Sequence, residues 1–153
     1  MATEAKLRQL ADKGCPVYYF YSSERYLVRQ AVAAATRILT ADSDEDATVL
    51  DGAAPEIEQL IMAAGTISFF GTRRVVVLPE IDPAAYSDKD LEELNSTLSS
   101  LENAVVVLGS VFELERSKLK TGKRAQKLIA QCKALGYTEE LAKPKPFELK
   151  MMM

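Results

Sequence analysis

Apolar runs rich in β-branched and aromatic residues alternate with helical patterns along the chain, and this alternation most constrains the fold. The runs are VYYFY at 17–21, VVVL at 75–78 and AVVVLG at 104–109. Between the first two, apolar residues recur at helical spacing from Leu27 to Leu39. Runs without polar alternation are typical of parallel strands that are buried on both faces. The sequence therefore predicts an α/β protein with three layers, in which helices cover both faces of a parallel sheet.

Weaker signals predict the remaining elements. Ser23 is placed to cap the first of these helices, and Pro55 is placed to open the next one. Ser87 and Asp90 form an S-x-x-D capping box before a third helix. Three further elements are predicted: a strand at 47–51, a helix near 123–135 and a fifth short strand in GYTEEL at 136–141.

The composition excludes several classes of function. The chain has no histidine, which excludes histidine-based acid–base catalysis, Ser-His-Asp triads and most zinc enzymes. Cys15 and Cys132 are far apart and form no CxxC pattern, so we expect free thiols in a cytosolic protein. No apolar run approaches the roughly 18 residues of a membrane span, and no membrane partner is expected. The net charge of −3 argues against nucleic acid as the main partner.

A parallel sheet of this type raises the question of nucleotide binding, because the phosphate loop of such proteins follows the first strand. Here the first strand is followed by SSERYLVRQ, which has no glycine and no Gly-Lys-Ser/Thr. Glu80 and Asp82 lie near the place of a Walker B acid, but Pro79 intervenes. The sequence thus predicts a nucleotide-binding architecture with a degenerate site, and we expect neither a cofactor nor a metal. The alternative is a divergent P-loop-type nucleotide-binding enzyme.

The segment TISFFGTRR, residues 66–74, concentrates aromatic surface in a chain with five phenylalanines and no tryptophan. It connects a helix to the third strand, so we expect it at the edge where strands begin, opposite any ligand crevice. Phe69 and Phe70 are adjacent, and both can hardly point into the core from a short connection. The residues alone leave two alternatives open. Either one phenylalanine caps the core, or the pair is exposed as a hot spot for a partner.

A basic stretch extends from Arg116 to Lys133 and contains no acidic residue. One interpretation is a solvated helix face. The other is a surface on which Lys118, Lys120, Lys123 and Arg124 face a neighbouring subunit or DNA.

In their order and spacing, these features resemble the N-terminal part of the delta subunit of bacterial DNA polymerase III, a component of the clamp loader. The resemblance covers roughly residues 15 to 150, although Ser22 stands where the family commonly has glycine. The matching stretches are YYFYSSERYLVRQ at 18–30, TISFFGTRRVVVL at 66–78, AVVVLG at 104–109 and RSKLK at 116–120, which a basic helix follows.

The resemblance implies a RecA-like AAA+ domain over residues 1–142, followed by a linker and the start of a helical lid domain over 143–153. It also implies a non-catalytic subunit of a DNA polymerase holoenzyme in the bacterial cytoplasm, in which sister subunits hydrolyse ATP. Such a subunit binds and opens the sliding clamp for loading onto primed DNA.

The resemblance further implies the clamp-binding residues and the partners. Phe69 and Phe70 match the positions that enter the hydrophobic pocket of the clamp, and Ile67 and Ser68 precede them in the same segment. The implied partners are the sliding clamp (beta subunit), the tau/gamma and delta prime subunits, and DNA within the assembled loader.

Overall fold

The computed structural model describes residues 4–41, 46–65, 74–102, 104–116 and 118–141. Five helices, seven strands and one 3₁₀ turn, Pro83–Ala85, lie within these ranges. The helices are α1 Glu4–Asp12, α2 Arg25–Thr40, α3 Ile57–Gly65, α4 Asp88–Ser99 and α5 Gly122–Leu135. The strands are β1 Val17–Ser22, β2 Thr48–Val49, β3 Arg74–Leu78, β4 Ala104–Val111, β5 Leu114–Glu115, β6 Lys118–Leu119 and β7 Tyr137–Glu140.

Five of the strands form one parallel sheet in the order β2-β3-β4-β1-β7. The two longest apolar runs pair at its centre, where Val17 lies opposite Val106 and Phe20 lies opposite Gly109. The predicted fifth strand is confirmed as β7, which pairs with β1 at one edge. Strands β2, β3 and β4 lie on one side of β1, and β7 lies on the other. Because parallel strands cannot be joined by a short hairpin, helices connect them.

Alternation along each strand divides the core into two halves. Val17 and Tyr19 of β1 pack on the face covered by α3, α4 and α5. Tyr18 and Phe20 pack on the opposite face, which α1 and α2 cover. Because successive side chains of a strand point to opposite faces, a strand with a helix layer on each side must be apolar throughout. The predicted three-layer α/β architecture is therefore confirmed.

Some local predictions differ from the structure. Helix α1 was not predicted, because its sequence buries Leu7 alone and is otherwise mostly polar and charged. Strand β2 is shorter than the predicted 47–51, although the amide of Leu50 still donates to the carbonyl of Val77 at 2.8 Å. The prediction that Ser23 caps α2 is wrong, because the N-cap residue is Glu24 and makes no side-chain capping bond.

Other predictions concern residues beyond these ranges. The predicted linker and lid segment, 143–153, lies outside the described residues.

Within the described part of the chain, no helix combines the length and apolarity needed to cross a bilayer.

Candidate functional site

The carboxyl edge of the sheet is where a RecA-like protein holds nucleotide phosphates. Strand β1 ends at Ser22 and α2 begins at Arg25, so the connection is Ser23 and Glu24 alone. The hydroxyl oxygen of Ser22 accepts from the amide of Glu24 at 3.0 Å, which tightens the turn. A phosphate loop instead needs glycines that let several amides approach one anion. Here an acidic residue stands at the start of the helix, where a phosphate would meet like charge.

An ion pair spans this edge. The Nε atom of Arg25 donates to Oε1 of Glu80 at 2.7 Å, and its Nη2 atom donates to Oε2 at 3.1 Å. Arg25 opens α2 after the first strand, whereas Glu80 follows β3 at the place of a metal-binding acid. The guanidinium thus engages both oxygens of the carboxylate in a bidentate pair. Because the side chains are 58% and 38% exposed, the pair contributes little stability, and its importance lies in its position.

The next acidic residue, Asp82, also has an internal role. Its Oδ1 atom accepts from the amide of Ala84 at 3.0 Å and so caps the 3₁₀ turn. Glu80 and Asp82, the two acids near the Walker B position, therefore both accept hydrogen bonds from other groups of the protein. Among the described residues, no three histidine, cysteine or acidic side chains form a group that would hold a metal ion.

A buried hydrogen-bond chain lies beneath the ion pair. The hydroxyl of Tyr19 donates to Oγ of Ser110 at 2.7 Å, and that hydroxyl donates to the carbonyl of Ile81 at 2.8 Å. Burial raises the pKa of Tyr19, so this phenol stays protonated and keeps its donor role. These hydrogen bonds link β1, β4 and the segment after β3. They also satisfy the hydroxyl of Ser110, a buried polar residue near the end of β4.

Two open clefts of about 560 and 600 Å³ flank this edge. The smaller cleft has a mixed lining that includes Arg25, Glu80, Asp82, Glu113 and Lys120. The larger cleft places Tyr21, Leu114, Leu119, Ile129 and Leu141 between the charged residues Glu24, Lys118 and Glu140. Acidic groups in both clefts oppose the approach of a polyphosphate. Neither arrangement resembles a nucleotide pocket, whose polar groups would converge as donors.

The predicted clamp-binding residues Ile67, Ser68, Phe69 and Phe70 lie outside the described residues. The elements that flank them are described: α3 ends at Gly65 and β3 begins at Arg74. The last two turns of α3 expose two large apolar side chains, Ile61 at 51% and Met62 at 72%.

The four basic residues that the sequence grouped have different surroundings in the structure. Lys118 lies on β6 and shares a cleft with two glutamates, and Lys120 shares the other cleft with Glu80. Arg124 pairs within the protein, because its Nε atom donates to Oδ1 of Asp88 at 3.0 Å. Lys123 is exposed in the first turn of α5. The four residues therefore differ in their surroundings, and their contact with a neighbouring subunit or DNA stays a prediction.

Sequence reasoning missed Arg25 as a site residue. The available signal was positional, because Arg25 and Glu80 both follow the carboxyl ends of strands in a parallel sheet. Such residues meet at one edge even though β4 separates β1 from β3. The opposite charges of the two residues then favour a pair.

No protein-family model matches the chain, and no curated protein matches its sequence. Among solved structures, the fold is similar to that of a DNA polymerase III, gamma subunit-related protein from Thermotoga maritima. The two share 15% identity with a TM-score of 0.63, over 95% of this chain and 48% of the other. The chain thus spans about half the length of that protein. The likeness establishes the fold, a five-stranded parallel sheet flanked by helices in a RecA-like, AAA+-type arrangement.

Proposed function

We propose that this chain is the N-terminal domain of a clamp-loader subunit of the delta type, which binds and opens the sliding clamp without an ATPase activity of its own. The ordered sequence features and the RecA-like fold support this proposal together. The observation that carries it is the Arg25–Glu80 pair, in which protein groups occupy the edge where an ATPase would hold phosphate and metal.

The ion pair also bears on the alternative function, a divergent nucleotide-binding enzyme. A Walker B carboxylate organises a magnesium ion, but both oxygens of Glu80 already accept from a guanidinium. Binding a metal there would require Arg25 to leave, and the chain offers no glycine loop to receive the phosphates. We therefore favour a domain that keeps the architecture of an ATPase and serves as a binding module.

The proposed clamp contact is the segment Ile67, Ser68, Phe69 and Phe70. Transfer of one phenylalanine from water into a pocket contributes about 1.5–3 kcal/mol, so a pair contributes about 3–6 kcal/mol. That range corresponds to an affinity change of about 10² to 10⁴. Two adjacent phenylalanines are therefore enough to anchor a compact interface.

The wider assembly follows from the same proposal. Residues 1–142 form the first domain, and residues 143–153 connect it to a helical lid domain. The remaining partners are the tau/gamma and delta prime subunits and the DNA within the loader. The chain acts in the bacterial cytoplasm as a non-catalytic part of a DNA polymerase holoenzyme.

Surface plasmon resonance on immobilised sliding clamp tests the binding role. Phe69→Ala/Phe70→Ala should weaken binding by at least about 100-fold, in line with the transfer of two phenylalanines. Tyr26→Ala is the matched control, because Tyr26 is a 69% exposed aromatic on α2, which covers the opposite face of the sheet from α3. Equal binding by wild type and the double variant would refute the assignment of the site.

Titration calorimetry with Mg-ATP tests the loss of nucleotide chemistry. We expect no saturable heat for the wild-type chain at nucleotide concentrations up to the millimolar range. Micromolar binding would instead support the nucleotide-binding enzyme and contradict the proposal. A successful clamp experiment and a negative nucleotide experiment are both required.

A further inference from the structure

The sequence contains one Asp-Gly pair and no Asn-Gly pair. The pair, Asp51–Gly52, lies in the connection between β2 and α3, and both of its residues are exposed. Gly52 has a φ angle of 109°, which L side chains rarely adopt, and a Cβ atom built there would meet nothing within 4 Å. No other part of the described chain therefore crowds the backbone at this glycine.

The carboxylate of Asp51 differs from the other acidic groups near this edge of the sheet. Glu80 is held by Arg25, and Asp82 caps the 3₁₀ turn. In contrast, Asp51 makes no hydrogen bond or ion pair with any residue that the structure describes. A bond to an amide or a cation would have to break before a carboxyl group could react, and Asp51 has no such bond to break.

An aspartyl side chain beside an accessible glycine amide can close a ring on the main chain. The amide nitrogen of Gly52 attacks Cγ of Asp51 in its carboxylic acid form. As the N–Cγ bond forms, the bond from Cγ to its hydroxyl breaks, and the hydroxyl leaves with the amide proton as water. The product is a five-membered succinimide ring. Glycine favours this closure because no Cβ atom hinders the nitrogen.

Hydrolysis of the succinimide has two outcomes. When water breaks the N–Cγ bond, aspartate is restored. When water breaks the bond between the nitrogen and the main-chain carbonyl carbon of Asp51, the product is isoaspartate. The main chain then runs through the former side chain, and the former main-chain carbonyl becomes a free carboxylate. The two steps release and consume one water, so they need no oxidant or other co-reactant.

We propose that Asp51 is a modification site at which the folded protein forms isoaspartate. The free carboxylate of isoaspartate is the group that isoaspartyl methyltransferases methylate with S-adenosylmethionine. The modified chain is therefore a substrate for that class of repair enzyme. This inference rests on the exposed pair and does not depend on the proposed clamp-binding role.

The modification changes a loop that is bonded to the sheet region on both sides of the pair. The amide of Leu50 donates to the carbonyl of Val77 at 2.8 Å, and the carbonyl of Ala53 accepts from the amide of Asp82 at 2.7 Å. Isoaspartate adds one methylene to the main chain between these two bonds, which lengthens it by about 1.5 Å. We expect the bond between Ala53 and Asp82 to be weakened in the modified protein.

Incubation of the whole chain at neutral pH and physiological temperature tests the proposal. A purified isoaspartyl methyltransferase transfers a labelled methyl group to isoaspartate, and mass spectrometry maps the labelled residue. The reference is the free peptide ATVLDGAAPE, residues 47–56. The folded chain should react at no less than about one tenth of the peptide's rate, because no contact of Asp51 has to break. A slower rate, or label that maps to other residues, would overturn the proposal.

Two substitutions with unchanged charge identify the reacting residue. Asp51→Glu should abolish methyl incorporation at this site, because its longer side chain would have to close a six-membered ring, which forms far more slowly. Asp46→Glu is the matched control, because Asp46 is an exposed aspartate that precedes alanine instead of glycine. This control should leave the yield of isoaspartate unchanged. Equal yields from Asp51→Glu and the wild type would refute the assignment.

The isolated modified protein tests the effect on the loop. Hydrogen exchange at the amide of Asp82 should be faster than in unmodified protein, because that amide loses its acceptor at Ala53. The thermal midpoint should also be lower, and treatment with the methyltransferase should restore both values. Unchanged exchange at Asp82 would contradict the predicted weakening of this bond.

Discussion

Replacing Gly109 with alanine should destabilise the protein more than an added methyl group usually does. Gly109 lies in the central strand β4 and faces helix α2. A Cβ atom built there would lie 2.4 Å from the carbonyl oxygen of Pro79, 2.7 Å from Cγ1 of Val28 and 3.0 Å from Cγ2 of Val32. All three separations are shorter than ordinary van der Waals contact.

The surroundings of Gly109 cannot easily relax. The oxygen of Pro79 belongs to the backbone after β3, and the amide of Ile81 in the same segment donates to the carbonyl of Gly109 at 2.8 Å. Val28 and Val32 are β-branched and have restricted side-chain rotation within a helix. Overpacking of a core costs about 1–3 kcal/mol, and three close contacts place this substitution near 3 kcal/mol. That loss lowers the folding equilibrium constant by about 150-fold.

Urea unfolding followed by circular dichroism provides the measurement. We expect a lower midpoint with an unchanged denaturant slope, and a thermal midpoint lower by about 6–12 °C. Gly65→Ala is the control, because a Cβ atom at this helical position meets nothing within 4 Å. That variant should lose no stability and gain up to about 1 kcal/mol. A loss of less than about 1 kcal/mol in Gly109→Ala would refute the argument from close packing.

Three further predictions concern hydrogen bonds and pH. Tyr19→Phe removes the bond to Ser110 and should cost about 1 kcal/mol in urea unfolding, since Ser110 keeps its own bond to the carbonyl of Ile81. Ser87→Ala removes the cap of α4 and should also cost about 1 kcal/mol; no loss of urea stability would contradict the capping role. Burial raises the pKa of Cys132 to about 12, whereas an unfolded thiol ionises near pH 8.5. Because the unfolded state alone then loses this proton, stability should fall from about pH 9 to 12, and Cys132→Ala should flatten that decline.

The strands of the sheet could be predicted because each one carries its signal within its own short stretch of sequence. A strand with a helix layer on each side must be apolar at every position, and this requirement produces runs such as the one at 104–109. The helices between the strands show the period expected of elements with one buried face, as Leu91, Leu94 and Leu98 do in α4. The order β2-β3-β4-β1-β7 was not predicted, because parallel connections are compatible with several strand orders.

Other features were not predictable because they depend on distant partners. Helix α1 buries a single leucine and packs against α2, where Glu4 pairs with Arg37, 33 residues away. The hairpin of β5 and β6 has two residues in each strand, too few to show a period. The Arg25–Glu80 pair joins groups that are 55 residues apart, and only the three-dimensional arrangement of the sheet brings them together.

At the carboxyl edge of the sheet, polar groups of the protein bond to one another. In a nucleotide-binding protein, ligand atoms satisfy some of the groups at this edge, so the empty site is less stable than the filled one. Here Glu80 is satisfied by Arg25, Asp82 caps a turn, and Ser110 is bonded on both sides within the core. These three groups are therefore satisfied by partners within the protein. If the proposed function is correct, this edge acts as a constant support for the clamp-binding segment, and the domain keeps its shape without a bound nucleotide.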